Sequence, residues 1–209
     1  MNAHSLFVPN SQTSQKNCWP LRAVVACIAI ILVALLASRS AAAPAHSAPS
    51  PATDAAASFT ISSPSFPNGG DIPKKFTCDG PDISPKLVWN DPPAGTLAFA
   101  LLVDDPDVPV GNWNHWTMWN LPPALRGLPE GVSKQYRLPD GSAQGENDFD
   151  KPGYNGPCPP EGAPHHYYFK LFALDAKLDL KRRSGKKELE AAMQGHILAH
   201  AKWMGRYGH

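Results

Sequence analysis

The first residues whose side chains could take part in binding or catalysis lie in residues 102–123 (LVDDPDVPVGNWNHWTMWNLPP). This stretch begins at the end of an apolar run. Its acidic residues, its one histidine and the two prolines before that histidine are, in order, Asp104, Asp105, Pro106, Asp107, Pro109 and His115. The two prolines cannot extend a β ladder, so we expect the carboxylates to leave the sheet in a rigid turn. A carboxylate beside a histidine can fix which ring nitrogen carries the proton. By itself, an Asp-Pro-Asp turn also satisfies its own backbone, so this stretch alone does not define a site.

The second stretch covers residues 153–175 (GYNGPCPPEGAPHHYYFKLFALD). Its glycines and prolines predict a stiff loop that delivers His165, His166 and Tyr167 to the start of a strand. Side chains alternate along a strand, so His165 and Tyr167 share one face while His166 points to the other. An imidazole and a phenol are therefore presented together. Such donors suit a phosphate or a carboxylate.

The elements that must position these residues are short apolar runs separated by Gly, Pro, Asn and Asp. This pattern predicts antiparallel strands in a sandwich or barrel. Residues 97–103 are almost continuously apolar, as in a central strand covered on both faces, and residues 165–174 form another strand of this kind. Apolar residues at helical spacing predict one helix over residues 186–202, ending near Gly205. It would carry His196 and His200 on one side, either packed or able to bind a metal.

The first 58 residues differ from the rest. Residues 23–38 carry no charge, and Lys16 and Arg22 precede them. We interpret residues 1–45 as a signal peptide, because 16 apolar residues are few for a membrane-spanning helix. The alternative is a membrane anchor through residues 23–38. Residues 46–58, rich in Ala, Pro and Ser, are expected to be a linker, since they offer little apolar surface to bury.

The folded domain is thus expected at residues 59–209, and within it only Cys78 and Cys158 remain. In an oxidising compartment the two residues could form one disulfide, or they could be two free thiols. The whole chain has a net charge of +1. Nucleic-acid-binding domains usually concentrate positive charge, so we expect no nucleic-acid partner.

Together the two stretches resemble the signature blocks of the phosphatidylethanolamine-binding protein (PEBP) family, in its bacterial, Raf-kinase-inhibitor-like branch. The resemblance spans essentially all of residues 59–207. Its blocks are FTCDG at 76–80, DPDVP at 105–109, WNH at 113–115, GPCPP at 156–160, HHY at 165–167, GHILA at 195–199 and GRYG at 205–208. The resemblance implies a mainly β fold: a sandwich of two antiparallel sheets with a C-terminal α-helix and a small anion pocket at one end.

The family's pocket carries over to Asp105, His115, His165 and Tyr167, with Gly156 and Pro109 lining it. His166 departs from the family pattern, where an Arg is common. Because strand alternation turns His166 away from Tyr167, the resemblance implies a changed rim and an intact pocket. Asp105 is expected to orient one imidazole.

The resemblance implies a protein that binds a small anion, such as a phosphate ester or a phospholipid head group, with no cofactor, and the N-terminal segment predicts that it is exported. A protein partner could be modulated as well, but its identity is open. One alternative is a metal-dependent hydrolase with Asp105, His115 and His165 as ligands and Tyr167 as the acid. Another is an inhibitor of a protein such as a kinase or protease, which the fold alone does not specify. The expected location is periplasmic or secreted, with membrane contact only through an uncleaved N-terminus.

Overall fold

The structure, a computed structural model, describes residues 58–109 and 111–209. Predictions for the signal peptide and for linker residues 46–57 therefore lie outside the described residues. No helix within these two ranges is long and apolar enough to cross a membrane. The elements are β1 (Ile61–Ser62), β2 (Leu87–Trp89), β3 (Ala98–Asp105), β4 (Trp113–Leu121), β5 (Gly127–Leu128), β6 (Ala143–Gln144), β7 (His165–Leu174), α1 (Lys186–Met193) and β8 (Ile197–Tyr207).

The strands form two antiparallel sheets, which confirms the predicted fold class. The smaller sheet has the order β1-β2-β5, and the larger one has the order β6-β4-β3-β7-β8. The main core draws on buried side chains of both sheets, including Leu87 and Trp89 from the smaller and Phe99 and Phe169 from the larger. Burial of this apolar surface is what holds the sandwich together.

Strand β3 is central in the larger sheet, and all eight of its residues are buried. One face packs into the main core, and the other packs into a second cluster that includes Leu178, Leu189 and Met193. Because α1 and the segment before it supply that second cluster, neither face of β3 meets water. The prediction of a strand covered on both faces is confirmed for β3.

The predicted helix over residues 186–202 is wrong in its second half. Helix α1 ends at Met193, and Gly195 adopts φ +81°, a left-handed conformation that glycine reaches at little cost. The chain then enters β8, in which His200 pairs with Phe172. His196 precedes that strand, so the two histidines do not share a helix face.

The two carboxylates of Asp104 and Asp105 remain in the sheet, contrary to our expectation of a turn. Both residues belong to β3, and they pair with Asn114 and Trp113 of β4. Proline stops the ladder only from Pro106 onward, because a strand can end at the residue before a proline. As neighbours on one strand, the two side chains point to opposite faces.

A disulfide joins Cys78 to Cys158, whose Cα atoms are 5.4 Å apart. The two loops also touch without it: the Cys78 amide donates to the Pro157 carbonyl at 3.0 Å. The Tyr154 hydroxyl donates to the Phe76 carbonyl at 2.7 Å. The loop over residues 156–160 is thereby fixed against the loop over residues 76–80.

Candidate functional site

A cavity of about 160 Å³ opens where β3, β4 and β7 meet the 156–160 loop. A water molecule takes up about 30 Å³ in the liquid, so the cavity has room for about five waters or one small ligand. It is lined by Asp105, Val108, Trp113, His115, Phe149, Cys158, Pro159, Pro160, His165 and Tyr167. The structure thus brings four of the residues singled out in the sequence, Asp105, His115, His165 and Tyr167, to one place.

His165 is held by Asp105. Its Nδ1 lies 2.7 Å from Asp105 Oδ2, and a carboxylate accepts, so this nitrogen carries the proton. Asp105 Oδ1 accepts from the Asp107 amide at 2.8 Å. Both oxygens of the buried Asp105 are therefore occupied, and Nε2 is the imidazole nitrogen of His165 left for a ligand.

His115 is held by the backbone. Its Nδ1 donates to the Asn155 carbonyl at 2.7 Å, because a carbonyl can only accept. Burial lowers the pKa of His115 below its ordinary value, although the Asn155 carbonyl and the Asp105 carboxylate act in the opposite direction. The ring is therefore neutral at neutral pH, with Nε2 as an acceptor. It becomes a donor there only when a proton arrives.

Tyr167 contributes a hydroxyl with unused hydrogen-bonding capacity. The side chain is 1% exposed, and its hydroxyl oxygen has no hydrogen-bond partner among the described residues. Burial, and after it the Asp105 charge, raises the pKa of Tyr167, so the proton stays on the oxygen. The His115 ring stands edge-on to the Tyr167 ring, with centroids 5.2 Å apart. The Asp105 carboxylate is near enough to act on the hydroxyl, but no acceptor among the described residues meets hydrogen-bond distance and angle.

Two aromatic side chains that line the cavity had no part in our sequence assignment of the pocket. The rings of Trp113 and Phe149 meet edge-to-face at 5.6 Å, and Phe149 also packs against His115 at 5.3 Å. Phe149 comes from a turn that the buried Asn147 organises: its Oδ1 accepts from the Phe149 amide, and its Nδ2 donates to the Gly153 carbonyl. For Phe149 the sequence signal was the Asn-Asp-Phe-Asp run at 147–150, which is typical of a turn, whereas Trp113 begins the WNH block.

Gly156 and Pro109 are not among the described residues that line the cavity. Val108 occupies the lining position next to Pro109. Gly156 lies behind the cavity lining, where its amide donates to Asp82 Oδ1 at 2.6 Å. A side chain at this position would clash with the Phe76 carbonyl. The glycine allows the 156–160 loop to approach the rest of the domain.

His166 lies outside the cavity, on the face that strand alternation assigns to it. Its amide and its Nδ1 contact Asp107 Oδ2 at 2.8 and 2.6 Å. Partial burial acts against ionisation, but these two hydrogen bonds prevail and lower the pKa of Asp107. His166 therefore fixes the turn after β3 without lining the cavity.

The hydrolase alternative requires Asp105, His115 and His165 to lie close enough together to hold one metal ion. In residues 58–109 and 111–209, three metal-ligating groups come within 4.8 Å of one another only at Cys78, Cys158 and His209. Asp105, His115 and His165 do not form such a group. The hydrolase alternative therefore lacks its ligand set in this arrangement.

The sequence was compared with protein-family models and with known proteins. A family model described as phosphatidylethanolamine-binding protein matches residues 62–208. A UPF0098 protein from Methanothermobacter thermautotrophicus is 49% identical over 142 residues, covering 68% of this chain and 93% of that protein. One from Aquifex aeolicus is 46% identical over 149 residues, covering 70% and 86%.

Two solved structures resemble the fold. The first is a putative PEBP homologue, CT736, from Chlamydia trachomatis, with a TM-score of 0.67 and 39% identity, covering 73% of this chain and 98% of that one. The second is YbcL from E. coli, described as a new member of the mammalian PEBP family. It has a TM-score of 0.68 and 34% identity, covering 73% and 99%.

Proposed function

The chain belongs to the phosphatidylethanolamine-binding protein family, and we propose that it binds a small anion, a phosphate ester or a phospholipid head group, in the cavity at His165 and Tyr167. A phenol donor on β7 converges there with two imidazoles, one on the same face of β7 and one on β4, whose Nε2 atoms become donors when the rings are protonated. A tetrahedral oxyanion can accept from several donors at once. The cavity volume suits a ligand of this size.

The observation that carries the proposal is the unpartnered Tyr167 hydroxyl. A buried donor without a partner costs about 1 to 3 kcal/mol, so proteins rarely retain one unless something else satisfies it. A ligand oxygen bound in the cavity would accept this bond. His165, oriented by Asp105, offers Nε2 as a second donor whenever the ring is protonated.

Calorimetric titration with phosphate and with a phosphate monoester tests the proposal. Tyr167→Phe should weaken binding about tenfold or more, since a hydrogen bond to a charged group contributes about 1.5 to 3 kcal/mol. The ligand-free variant should melt at the same temperature as wild type or higher, because the lost hydroxyl had no partner. His200→Ala, on the distant part of β8, is the matched control. Equal affinities for wild type and Tyr167→Phe would refute the proposal.

The same titration separates binding from catalysis. We propose a binding module without turnover, so the phosphate monoester should be recovered intact after incubation with the protein. Hydrolysis that appears only with added metal, and that His165→Ala abolishes, would support the hydrolase instead. A stable complex with a protein on pull-down, formed without any small anion, would support the inhibitor.

We also propose that the protein acts outside the cytoplasm. The charge-free segment at residues 23–38 supports this, and so does the Cys78–Cys158 bridge, because disulfides persist mainly in oxidising compartments. Mass spectrometry of the native protein should find an N-terminus between residues 43 and 58. An intact Met1 in a soluble cytosolic fraction would contradict export, and an intact Met1 in the membrane fraction would indicate an anchor.

A further inference from the structure

We propose that reduction of the Cys78–Cys158 disulfide creates a binding site for a thiophilic divalent cation such as Zn²⁺, with His209 as the third ligand. The two sulfur atoms and an imidazole nitrogen of His209 all lie within 4.8 Å of one another. Two thiolates and one imidazole, with a fourth position for water or a carboxylate, form a ligand set that Zn²⁺ favours.

His209 is already oriented beside the sulfur atoms. Its Nδ1 lies 3.4 Å from Asp79 Oδ2, and its ring stands edge-on to Tyr207 at 5.8 Å. Asp79 is held in turn by the Tyr207 hydroxyl. A carboxylate that holds one ring nitrogen and leaves the other for the metal is the usual support of a metal-binding histidine. Asp79, next to Cys78 in the chain, is near enough to support His209 in this way when Nε2 turns to the metal.

The cysteines remain neighbours when the disulfide is broken, because other contacts hold the two loops together. The Cys78 amide bonds to the Pro157 carbonyl, and Tyr154 bonds to the Phe76 carbonyl. The Cα atoms are 5.4 Å apart. Two sulfurs bound to one Zn²⁺ stand about 3.8 Å apart, given Zn–S bonds of about 2.3 Å in a tetrahedron, and side-chain rotation can supply that separation.

The metal site forms in two steps, reduction of the disulfide and then binding of Zn²⁺. A phosphine gives two electrons to the disulfide and becomes a phosphine oxide with the oxygen of one water, whose two protons complete the thiols. A dithiol instead supplies both protons itself and closes to its own disulfide. Zn²⁺ then displaces both thiol protons into solvent and binds the two sulfur atoms and the imidazole. Both cysteines and His209 are exposed, so reductant and cation can reach them. The cation replaces the disulfide as the link between the loops.

The test compares oxidised protein with protein reduced by a phosphine and freed of excess reagent under argon. Zn²⁺ affinity is measured by competition with a chromophoric chelator, and Cd²⁺ reports thiolate ligation by its ultraviolet charge-transfer absorption. We expect one tight site per reduced chain and none in oxidised protein. His209→Ala, which keeps both cysteines, should bind about tenfold or more weakly, while His200→Ala should bind as wild type does.

The reduced protein could unfold when the disulfide is broken. In that event Zn²⁺ should restore the near-ultraviolet circular dichroism of wild type, and restore it at higher concentration in His209→Ala. Reduced wild type that takes up no Zn²⁺, or that binds no more tightly than reduced His209→Ala, would overturn the proposal. Equal uptake by oxidised protein would overturn it as well.

Discussion

Asp104 and Asp105 are consecutive residues of one strand, yet their carboxylates belong to different environments on opposite faces of the larger sheet. Asp105 faces the cavity and holds His165. Asp104 is fully buried on the other face, where its Oδ2 accepts from Lys170 at 2.8 Å and from Lys186 at 2.9 Å. One carboxylate therefore serves the candidate site, and the other connects α1 to strands β3 and β7 of the larger sheet.

This relationship predicts that the two alanine variants differ. Asp104→Ala leaves two lysines without their buried acceptor, so the free energy of unfolding should fall by about 2 to 4 kcal/mol while phosphate affinity stays unchanged. Asp105→Ala should weaken phosphate binding about tenfold, because His165 loses the group that orients it. Urea denaturation and calorimetry measure the two effects. If Asp104→Ala lost as much phosphate affinity as Asp105→Ala does, the assignment of Asp105 alone to the candidate site would be contradicted.

The lowered pKa of His115 predicts opposite pH trends for stability and for binding. Below about pH 6.5 the unfolded state takes up the proton before the folded state does, so the ligand-free protein should lose stability as the pH falls. Anion affinity should rise over the same range, because a protonated His115 can donate from Nε2. Sulfate is a suitable probe, since its charge is constant there.

His115→Gln provides the control for both trends. It should flatten the fall in melting temperature between pH 7 and about pH 5, and it should reduce the rise in sulfate affinity. Melting curves and titrations at matched ionic strength give the two slopes. If His115→Gln kept both slopes of wild type, another group would be responsible for the pH dependence.

The disulfide predicts a large cost of reduction in the absence of metal. Its sequence separation is 80 residues, and a closed loop of this length stabilises a domain by about 4 kcal/mol, mainly through the unfolded chain. Reduced protein kept in a metal chelator should melt roughly 5 to 15 °C lower than oxidised protein. Oxidised protein with the same chelator is the control, and unchanged melting on full reduction would disprove the prediction.

Gly156→Ala should damage both the loop and the cavity. The new methyl group would clash with the Phe76 carbonyl and lie 2.8 Å from Asp82 Oδ1, so the 156–160 loop must shift. We expect a loss of about 1 to 3 kcal/mol in stability, together with weaker phosphate binding. Gly185→Ala is the matched control, because its nearest contacts at 3.4 and 3.6 Å are ordinary ones. Normal binding by Gly156→Ala would show that the cavity tolerates movement of this loop.

The strands β3 and β7 were predictable from the sequence because both of their faces are largely apolar and their ends are marked by breaking residues. The run at 97–103 became β3 (Ala98–Asp105), and the run at 165–174 became β7 (His165–Leu174). The helix was overextended because Ile197 and His200 match a helical period by coincidence. Gly195, at the position where helices commonly end, was the contrary signal.

In the site, the four residues carried over from the family resemblance do line one cavity, but their protonation depends on contacts that no motif shows. That His115 Nδ1 is bound to the Asn155 carbonyl follows from how the 147–155 turn packs against β4. The contribution of Phe149 also comes from that turn. The motifs also did not show that Gly156 stays outside the cavity lining. Family blocks record which residues recur, and not whether each of them touches the ligand.

The Cys78–Cys158 bridge also turns a large part of the sandwich into a covalent ring. Strands β2, β3, β4, β5 and β6 all lie between the two cysteines, whereas β1, β7, α1 and β8 lie outside them. A single proteolytic nick at any exposed loop inside this ring leaves both fragments joined. The nicked protein would migrate as one species on a gel without reductant and as two with it, and its folded sheets could outlast the cut.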